Sequence, residues 1–584
     1  MGGRPDPDAR NMIIDALRAP AAISLSLVLM WACEPSMDGP DASRADAGVA
    51  VQDGGDAGRA AGDDAGRDLD GGDAMDAGPP VTATCEGVDC SGHGRCVVDG
   101  SVARCECDEG RAPVGPTCLA VNTPSWPLEV AGWNRTRLYP GLPYVSRVAV
   151  RGGAYPYRFT LVEGPAGLSI DGRTGTMTWT PEALGESAVV VRISDSLGAS
   201  ETLTLTLTVT TDGARFVSPS GSDGAAGSRE APWRSLDHAI EAGGADSTVY
   251  IEPGTYPVTG RIGSGAPEAF VGLGETRPVL DFGGSATAIG RDADQRLLFQ
   301  GLEVRNGGAK LFWLQGRSSH IVFHRCDLHG VRSDSANNPA LIFSEDNGAR
   351  TPGEVASYDD LVVQECALHD QASTLGHGGG VVLYDVGRAL LEDNEAFDID
   401  GHCIQDKDDG YRNVFRHNVL HGCEIGVSLL NQASQEDTEI SYNLAFDVVE
   451  AVRIGHQPGW IRGIYVHHNT SVGAPIRMRW SIGNDGSGDI NVYANLIVHG
   501  PAFRTENPDT HGDITTAGRV AIDGNLSFSG SGVVYESHWG GRTWTFEEWR
   551  GLGFDESGRF EDPRLDGERR LPPGSALRGR FGRE

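Results

Sequence analysis

The sequence predicts an all-β protein whose largest part is a right-handed parallel β-helix, a single-stranded solenoid, preceded by a small disulfide-rich module and a β-sandwich. The first observation is a repeat. Asn394, Asn418, Asn443, Asn469, Asn495 and Asn525 recur at intervals of 24, 25, 26, 26 and 30 residues, and Gly301, Cys326 and Cys366 take the same slot upstream. The second is what surrounds each slot: a short apolar run such as Ile321-Val322-Phe323, Leu361-Val362-Val363 or Ile464-Tyr465-Val466, too brief for a helix, with another strand-like run soon after. Self-similarity at this period is the mark of a solenoid. Nine such coils, stacked at the strand spacing of about 4.8 Å, make a rod roughly 40 Å long. An asparagine repeated at one corner suits a left-handed turn residue whose amide bonds the asparagine stacked on it. The third observation is six cysteines between Cys85 and Cys118, in a segment without core-sized apolar content.

The chain opens with residues 1–33, where Arg4, Arg10 and Arg18 precede an apolar stretch, Ala19 to Ala32, ending at Cys33. At that length it suits a secretory signal better than a membrane span. The Ala32-Cys33 junction resembles a bacterial lipoprotein cleavage box, which implies lipidation of Cys33 and a place on the outer membrane or cell surface; a plain signal cleaved elsewhere is the alternative. Residues 34–80 are Asp, Gly and Ala with almost no large apolar side chain, so they cannot offset their ordering entropy and are expected to form a disordered tether. They hold twelve acidic residues and three arginines, within a net charge of −33 for the chain. That balance argues against a nucleic-acid partner and is silent on catalysis.

Residues 81–119 carry the cysteine framework, and spacing alone leaves the pairing open. Gly92-His-Gly-Arg-Cys96 and Cys105-Glu-Cys107 resemble an EGF-like module, and that resemblance implies pairs 85–96, 90–105 and 107–118. No acidic stretch precedes Cys85, so no calcium is expected there, and the module reads as a rigid spacer or contact surface. Residues 120–212 alternate in runs such as Ala188-Val-Val-Val-Arg-Ile193 and Thr202-Leu-Thr-Leu-Thr-Leu-Thr-Val209 between turn signals, the pattern of a β-sandwich. Gly167-Leu-Ser-Ile-Asp171 and Gly175-Thr-Met-Thr-Trp-Thr180 are similar to immunoglobulin-like domains of bacterial surface proteins, most of which act as spacers.

Residues 213–584 hold the solenoid. A short amphipathic helix over 233–242, with Leu236, Ala239 and Ile240 on one side, is expected to cover its top, and Phe546 and Trp549 to plug its bottom, where open strand edges invite aggregation. Phe216-Val-Ser-Pro-Ser-Gly-Ser-Asp223, Val249-Tyr-Ile-Glu-Pro-Gly-Thr-Tyr256 and Phe560-Glu-Asp-Pro-Arg-Leu565 resemble the secreted right-handed β-helix proteins of pectate-lyase-like fold. Cys326, Cys366, Cys403 and Cys423 read as buried thiols, with a disulfide between Cys326 and Cys366 as the alternative; their spacing is not that of a zinc site.

Chemistry is sought on one strand of each coil. Alignment by the slot puts Phe312, Leu314, Leu341, Phe343, Val382 and Tyr384 outside on early coils, and Asp406, Arg453, Arg477, Arg479 and Glu536 outside on later ones. Polysaccharide lyases of this fold act on uronic-acid chains by β-elimination, with a Lys or Arg base and often calcium. By that resemblance Lys407 is the base, with His456 as substitute and Arg453 and Arg477 beside it; Arg479, Trp480 and Tyr384 bind substrate; and Asp385, Asp406, Asp408 and Asp409 hold calcium. Lys407 and Lys310 are the only lysines of the chain. Read from residues alone, Asp406-Lys-Asp-Asp-Gly410 is also a good turn, and the arginines also suit a surface ladder with acidic neighbours. Two other functions fit the pattern: a surface adhesin whose rod binds glycans without cutting them, and a glycoside hydrolase using Asp406 with Asp385 or Asp409.

Overall fold

The computed structural model describes residues 84–583 apart from 87, 100–101, 264, 285–286, 291–295, 334–337, 346–355, 374–377, 431–433, 456–459, 479–487, 506–519 and 538–540. Cys33 lies outside the described residues. Each coil contributes three strands. The first precedes the repeated slot, as in Ile321–His324, Val362–Gln364 and Val414–Arg416; the second follows it, as in Asp327–Ser333 and Ala367–Ser373; the third includes Ala340–Ser344, Gly379–Leu383 and Ile476–Met478. Strands of successive coils pair in parallel and in register, and among the described residues the first ladder runs through twelve strands, from Ala214–Val217 to Val520–Asp523. Its first pair is Ala214–Val217 with Thr248–Ile251.

In-register stacking puts like side chains on top of one another, and the interior uses this. Phe270, Phe299 and Phe323 stack with centroids 5.4 and 5.2 Å apart, a packing worth about 0.5–1.5 kcal/mol per aromatic pair beyond burial. The corner carries the asparagine ladder. Asn418 donates from both its backbone N and its Nδ2 to Asn443 Oδ1, at 2.9 and 3.0 Å, while the same Nδ2 reaches Leu391 O at 2.9 Å. The pattern repeats from Asn394 to Asn525 and ends on a residue outside the repeat of asparagines: Asn525 donates to Asp555 Oδ1 at 3.0 and 2.8 Å. The left-handed residue is the one before each asparagine, as at Asp393, His417, Tyr442 and His468, and not the asparagine itself. Gly301, with φ of 67°, therefore matches Arg325 at φ 57°, and Leu302 is the residue in the slot.

Cysteines continue the ladder upstream. Asn394 Oδ1 accepts from Cys366 N at 3.0 Å, and Cys366 Sγ accepts from Cys326 N at 3.3 Å. Both thiols are free and buried, whereas Cys403 and Cys423, expected as thiols, form a disulfide between neighbouring coils. The caps fall as expected. Helix Leu236–Ala242 is N-capped by Ser235 and buries Leu236, Ala239 and Ile240; helix Phe546–Arg550 has a Thr545/Glu548 capping box and stacks Trp549 on Tyr535 at 4.6 Å.

Both N-terminal modules are followed by contacts to the rod, as the contact-surface reading of the disulfide module allows and the spacer reading of the sandwich does not. Pairs Cys85–Cys96, Cys90–Cys105 and Cys107–Cys118 form, and the segment beyond them lies on the late coils, where Asn122 N donates to Asn491 Oδ1 at 2.8 Å and Ala120 N to Asp523 Oδ2 at 3.0 Å. The sandwich, a four-stranded sheet against a three-stranded one around Val189, Val191, Ile193, Met177 and Leu207, packs on the outward side of the first ladder. Ala131, Leu142 and Ala149 meet Leu298, Val322, Val362, Leu390 and Val414 there. Gly132, at φ 60°, is required: a Cβ would sit 2.9 Å from Val362 Cγ2.

Charge crosses the same contact. Rod residue Arg416, 1% exposed, binds Glu392 at 2.7 Å and reaches into the sandwich to Tyr157 Oη at 2.8 Å and Val150 O at 2.7 Å. Arg147 of the sandwich reciprocates, meeting Glu365, Glu392 and Asp393 at 3.0, 3.1 and 2.6 Å. Burial alone would raise the Glu392 carboxyl, but Arg416 and Arg147 outweigh it and hold it below the usual range.

Two stability predictions follow from these contacts. Asn443→Ala removes the acceptor of two buried donors on Asn418 and is expected to cost about 1–3 kcal/mol for each group orphaned; thermal unfolding with an unchanged midpoint refutes it. Arg416→Met is expected to cost about 3 kcal/mol, the low end for breaking a buried pair because Arg147 still faces Glu392, and to open the sandwich to limited proteolysis at its junction with the rod.

Candidate functional site

With the sandwich on the first ladder, the outward side of the third ladder is where the candidate residues fall. Its register decides which of them share a face. Ile342, Val381, Ile404, Val427, Val452 and Ile476 stack inside the rod; the next position, Trp313, Phe343, Val382, Gln405, Ser428, Arg453 and Arg477, stacks outside. Phe312, Leu314 and Leu341 are therefore interior, against expectation, and so is Asp406, which pairs in register with Leu383 and Leu429 and is fully buried. The reason is phase. Sixteen residues separate Cys326 from Ile342 but seven separate Asn469 from Ile476, and an odd difference inverts which side chains face out.

Asp406 Oδ2 accepts from Asn413 Nδ2 at 2.9 Å and Gln435 Nε2 at 2.5 Å. Burial pushes its carboxyl up to about 7, against the lowering effect of those two bonds and with help from nearby Asp408. Asp408 and Asp409 sit in left-handed turn positions and are buried, with Asp409 Oδ1 accepting from Ser434 Oγ at 2.6 Å; Asp385, also left-handed, accepts from Ser357 N at 3.1 Å. Among the described residues, only Cys90, Cys105 and Cys118 bring three potential ligand atoms within 4.8 Å of one another, and all three are in disulfides. The four aspartates do not converge, and Asp406 tends to neutrality inside the rod; they do not fit a calcium ion, which takes six to eight oxygens.

The arginines are on the predicted face, and they are paired. Glu450, 1% exposed, receives Arg453 Nε on Oε2 and Arg477 Nη1 on Oε1. Burial would raise Glu450, but these two guanidiniums carry it below the usual range. One coil on, Arg504 meets Glu536 at 3.3 Å. His456, Arg479 and Trp480 lie outside the described residues.

On the early coils the outward side is aromatic and holds both lysines. Lys407 Nζ donates to Tyr384 Oη at 2.6 Å, and Asn338 Nδ2 donates to the same oxygen at 2.8 Å. Asn338 O accepts from Lys310 Nζ at 2.8 Å. Lys310 lies 4.1 Å from the centre of the Phe343 ring and 5.9 Å from that of Trp313; Phe343 packs on Tyr384 at 5.6 Å. One hydrogen-bonded chain thus joins the two lysines through Asn338 and Tyr384. Desolvation lowers the Lys310 ammonium to about 8. Lys407 and Tyr384 were legible from the sequence. Lys310 was marked only by lysine rarity, and nothing in the pattern marks Asn338, Trp313 or Glu450.

Comparison with known proteins agrees with the architecture. Residues 287–477 match the family model described as "Right handed beta helix region", and residues 134–210 the one described as "Putative Ig domain". No curated protein matches the chain. Among solved structures, pectate lyase Pel9A aligns at 17% identity and TM-score 0.38 over 53% of this chain and 82% of its own. A family 28 exopolygalacturonase of Yersinia enterocolitica aligns at 9% identity and TM-score 0.33 over 71% and 91%. A rhamnogalacturonan lyase aligns at 11% identity and TM-score 0.30 over 63% and 99%.

The Asp406 environment sets a pH dependence. Its carboxyl titrates near 3.9 in an unfolded chain and at about 7 in the fold, so the native state holds a proton that the unfolded state has lost. Its contribution to stability is complete below about pH 4 and disappears as pH rises through about 7. Asp406→Asn is expected to flatten that decline in denaturant midpoints measured from pH 4 to pH 8; an unchanged slope refutes the assignment.

Proposed function

We propose that the protein binds uronate-containing polysaccharide on the outward side of its third ladder and cleaves it by β-elimination. The observation that carries this is the Tyr384–Lys407 contact at 2.6 Å, set among aromatic rings beside the second lysine. When this pair has released one proton to solvent, the next one is held between the two groups. The member without it takes the proton from the sugar carbon that bears the carboxylate, the freed electron pair forms the double bond to the neighbouring carbon, and the bond from that carbon to the glycosidic oxygen breaks. The other member returns a proton to the departing oxygen. Asn338 Nδ2, the second donor to Tyr384 Oη, supports the charge that develops on that oxygen.

Hydrolysis is less well supported. It needs two carboxylates about 5–9.5 Å apart flanking the bond, and Asp406, common to both candidate pairs, points into the rod. A glycan-binding adhesin is the second reading, favoured by Trp313, the partly exposed ring packed against the buried cluster of Ala340, Phe343, Val382 and Tyr384. The apolar segment before Cys33 and the disulfide framework support export, with Cys33 as the lipid-bearing anchor to the outer membrane or cell surface.

Ultraviolet absorbance of unsaturated products tests the cleavage. The full chain incubated with polygalacturonate and alginate is expected to release them, with the rate falling at least about 100-fold in Lys407→Ala and in Tyr384→Phe, and less than about tenfold in Arg453→Ala, whose charge Glu450 already offsets. Retention of polymer with no product on either substrate moves the assignment to the adhesin.

A further inference from the structure

The disulfide module meets the end of the rod across a polar cavity. Arg111 of the module reaches Asp523 and Glu556 at 3.5 and 3.2 Å. Glu556 also lines a space of about 280 Å³, close to the lower limit for a small-molecule site. Ser91 and His93, at the short turn Cys90–Gly92, line it from the module; Ser557 and Arg580, beyond the closing helix, line it from the rod. Ala494 and Gly524 also border it, and they precede the ladder residues Asn495 and Asn525, so the cavity lies at that corner and not on the third ladder. Its charges are unevenly settled. Arg111 has two carboxylates, and Arg559 has Glu561 at 3.3 Å. Arg580 has no carboxylate partner among the described residues, and its Nε is buried without a hydrogen-bond partner. Ser557 Oγ is buried and unpartnered in the same cavity, although the backbone N of Ser557 donates to Asp523 Oδ1 at 2.7 Å. Each orphaned buried donor costs about 1–3 kcal/mol, and a charged one more.

We infer that this junction is a second glycan site, separate from the third ladder, and that it takes one acidic sugar residue, with the carboxylate on Arg580 and Ser557 and the hydroxyls toward the module. Nε and a terminal N–H of a guanidinium form a fork that matches the two oxygens of a carboxylate, and the Ser557 hydroxyl adds a third donor. A bare anion would suit only part of the cavity, because Asp89 lines it too. Asp89 Oδ1 accepts from Ser91 N at 3.0 Å, and a carboxylate there repels an inorganic anion but accepts from a sugar hydroxyl. A pyranose acid carries both kinds of group. Since the lining comes from two domains, a bound sugar also holds the module to the rod, and binding and docking support each other. The site shares its ligand class with the proposed function and requires no cleavage.

Saturation-transfer NMR titration of the full chain with galacturonate, a monosaccharide that offers no bond to cleave, tests this, with galactose as the neutral control and inorganic phosphate as the bare anion. Wild type is expected to bind galacturonate at least about tenfold more tightly than either control. Arg580→Gln should lose that preference, and Ser557→Ala should weaken galacturonate about fivefold. Neither variant should lower the thermal midpoint without ligand, because neither side chain has a partner to lose. Both should shrink the rise in midpoint that saturating galacturonate gives wild type. Equal galacturonate binding by wild type and Arg580→Gln overturns the site, and so does binding that is lost in Tyr384→Phe but kept in Arg580→Gln. Phosphate bound as tightly as galacturonate overturns the sugar assignment in favour of an inorganic anion. Binding that needs Arg580, in a protein that releases no unsaturated product from polygalacturonate, leaves this site standing and removes the lyase; product release at the same rate in wild type and Arg580→Gln, without Arg580-dependent binding, does the reverse.

Discussion

Everything in this protein hangs on parallel stacking at a corner that accepts one side-chain chemistry. An asparagine there offers an oxygen to two donors of the neighbouring coil and a nitrogen to a backbone carbonyl, so one residue satisfies three buried polar groups per turn. Because the bonds run along the rod, each coil fixes the register of the next. Where amides give out, other groups continue the pattern: Cys366 Sγ accepts from a backbone N upstream, and Asp555 accepts from the last asparagine and from Trp549 Nε1 at the closing helix. Burial pushes Asp555 up to about 7 despite those donors, so the lower end of the ladder rests on a carboxyl held close to neutrality.

A solenoid with a rigid register has three long faces, and the chain disposes of them differently. The first-ladder face carries an apolar stripe and then a charged one, and both are covered from within the chain. The sandwich takes the stripe, and the Arg147, Glu392 and Arg416 network locks it lengthwise. The Tyr155 ring is wedged 4.6 Å from His417 and 4.8 Å from Tyr442. On the second ladder His329, His369, Phe397, His421 and Phe446 stack ring on ring, and Arg569 of the C-terminal tail closes the stack 3.7 Å above Phe446. The third ladder is then the face on which lysines, tyrosine and arginines gather.

Electrostatics on that face divide it in two. The late coils carry formal charge in plenty, yet each described guanidinium has a carboxylate, so their field is largely internal. On the coils before them the two described lysines, Lys310 and Lys407, are set against aromatic rings and neutral oxygens.

The sequence by itself determined the solenoid, its caps, the sandwich and the cysteine framework, because each rests on a local pattern: a slot repeated at a near-constant interval, alternation within a strand, a capping residue, six close cysteines. It also brought Lys407 forward through the rarity of lysine and Tyr384 through its place in the strand pattern, with the role of each implied by resemblance. It did not determine the phase of the third ladder, since the chain between slot and strand varies in length and an odd change inverts the faces; this is why Asp406, a carboxylate expected on the groove, lies inside. Nor did it show that Glu450 holds two arginines, that Asn338 joins the lysines, or that the sandwich, expected to act as a spacer, lies along the rod. Those facts depend on which side chains meet across coils and across domains, and only the folded arrangement, where burial and pairing are settled together, decides them.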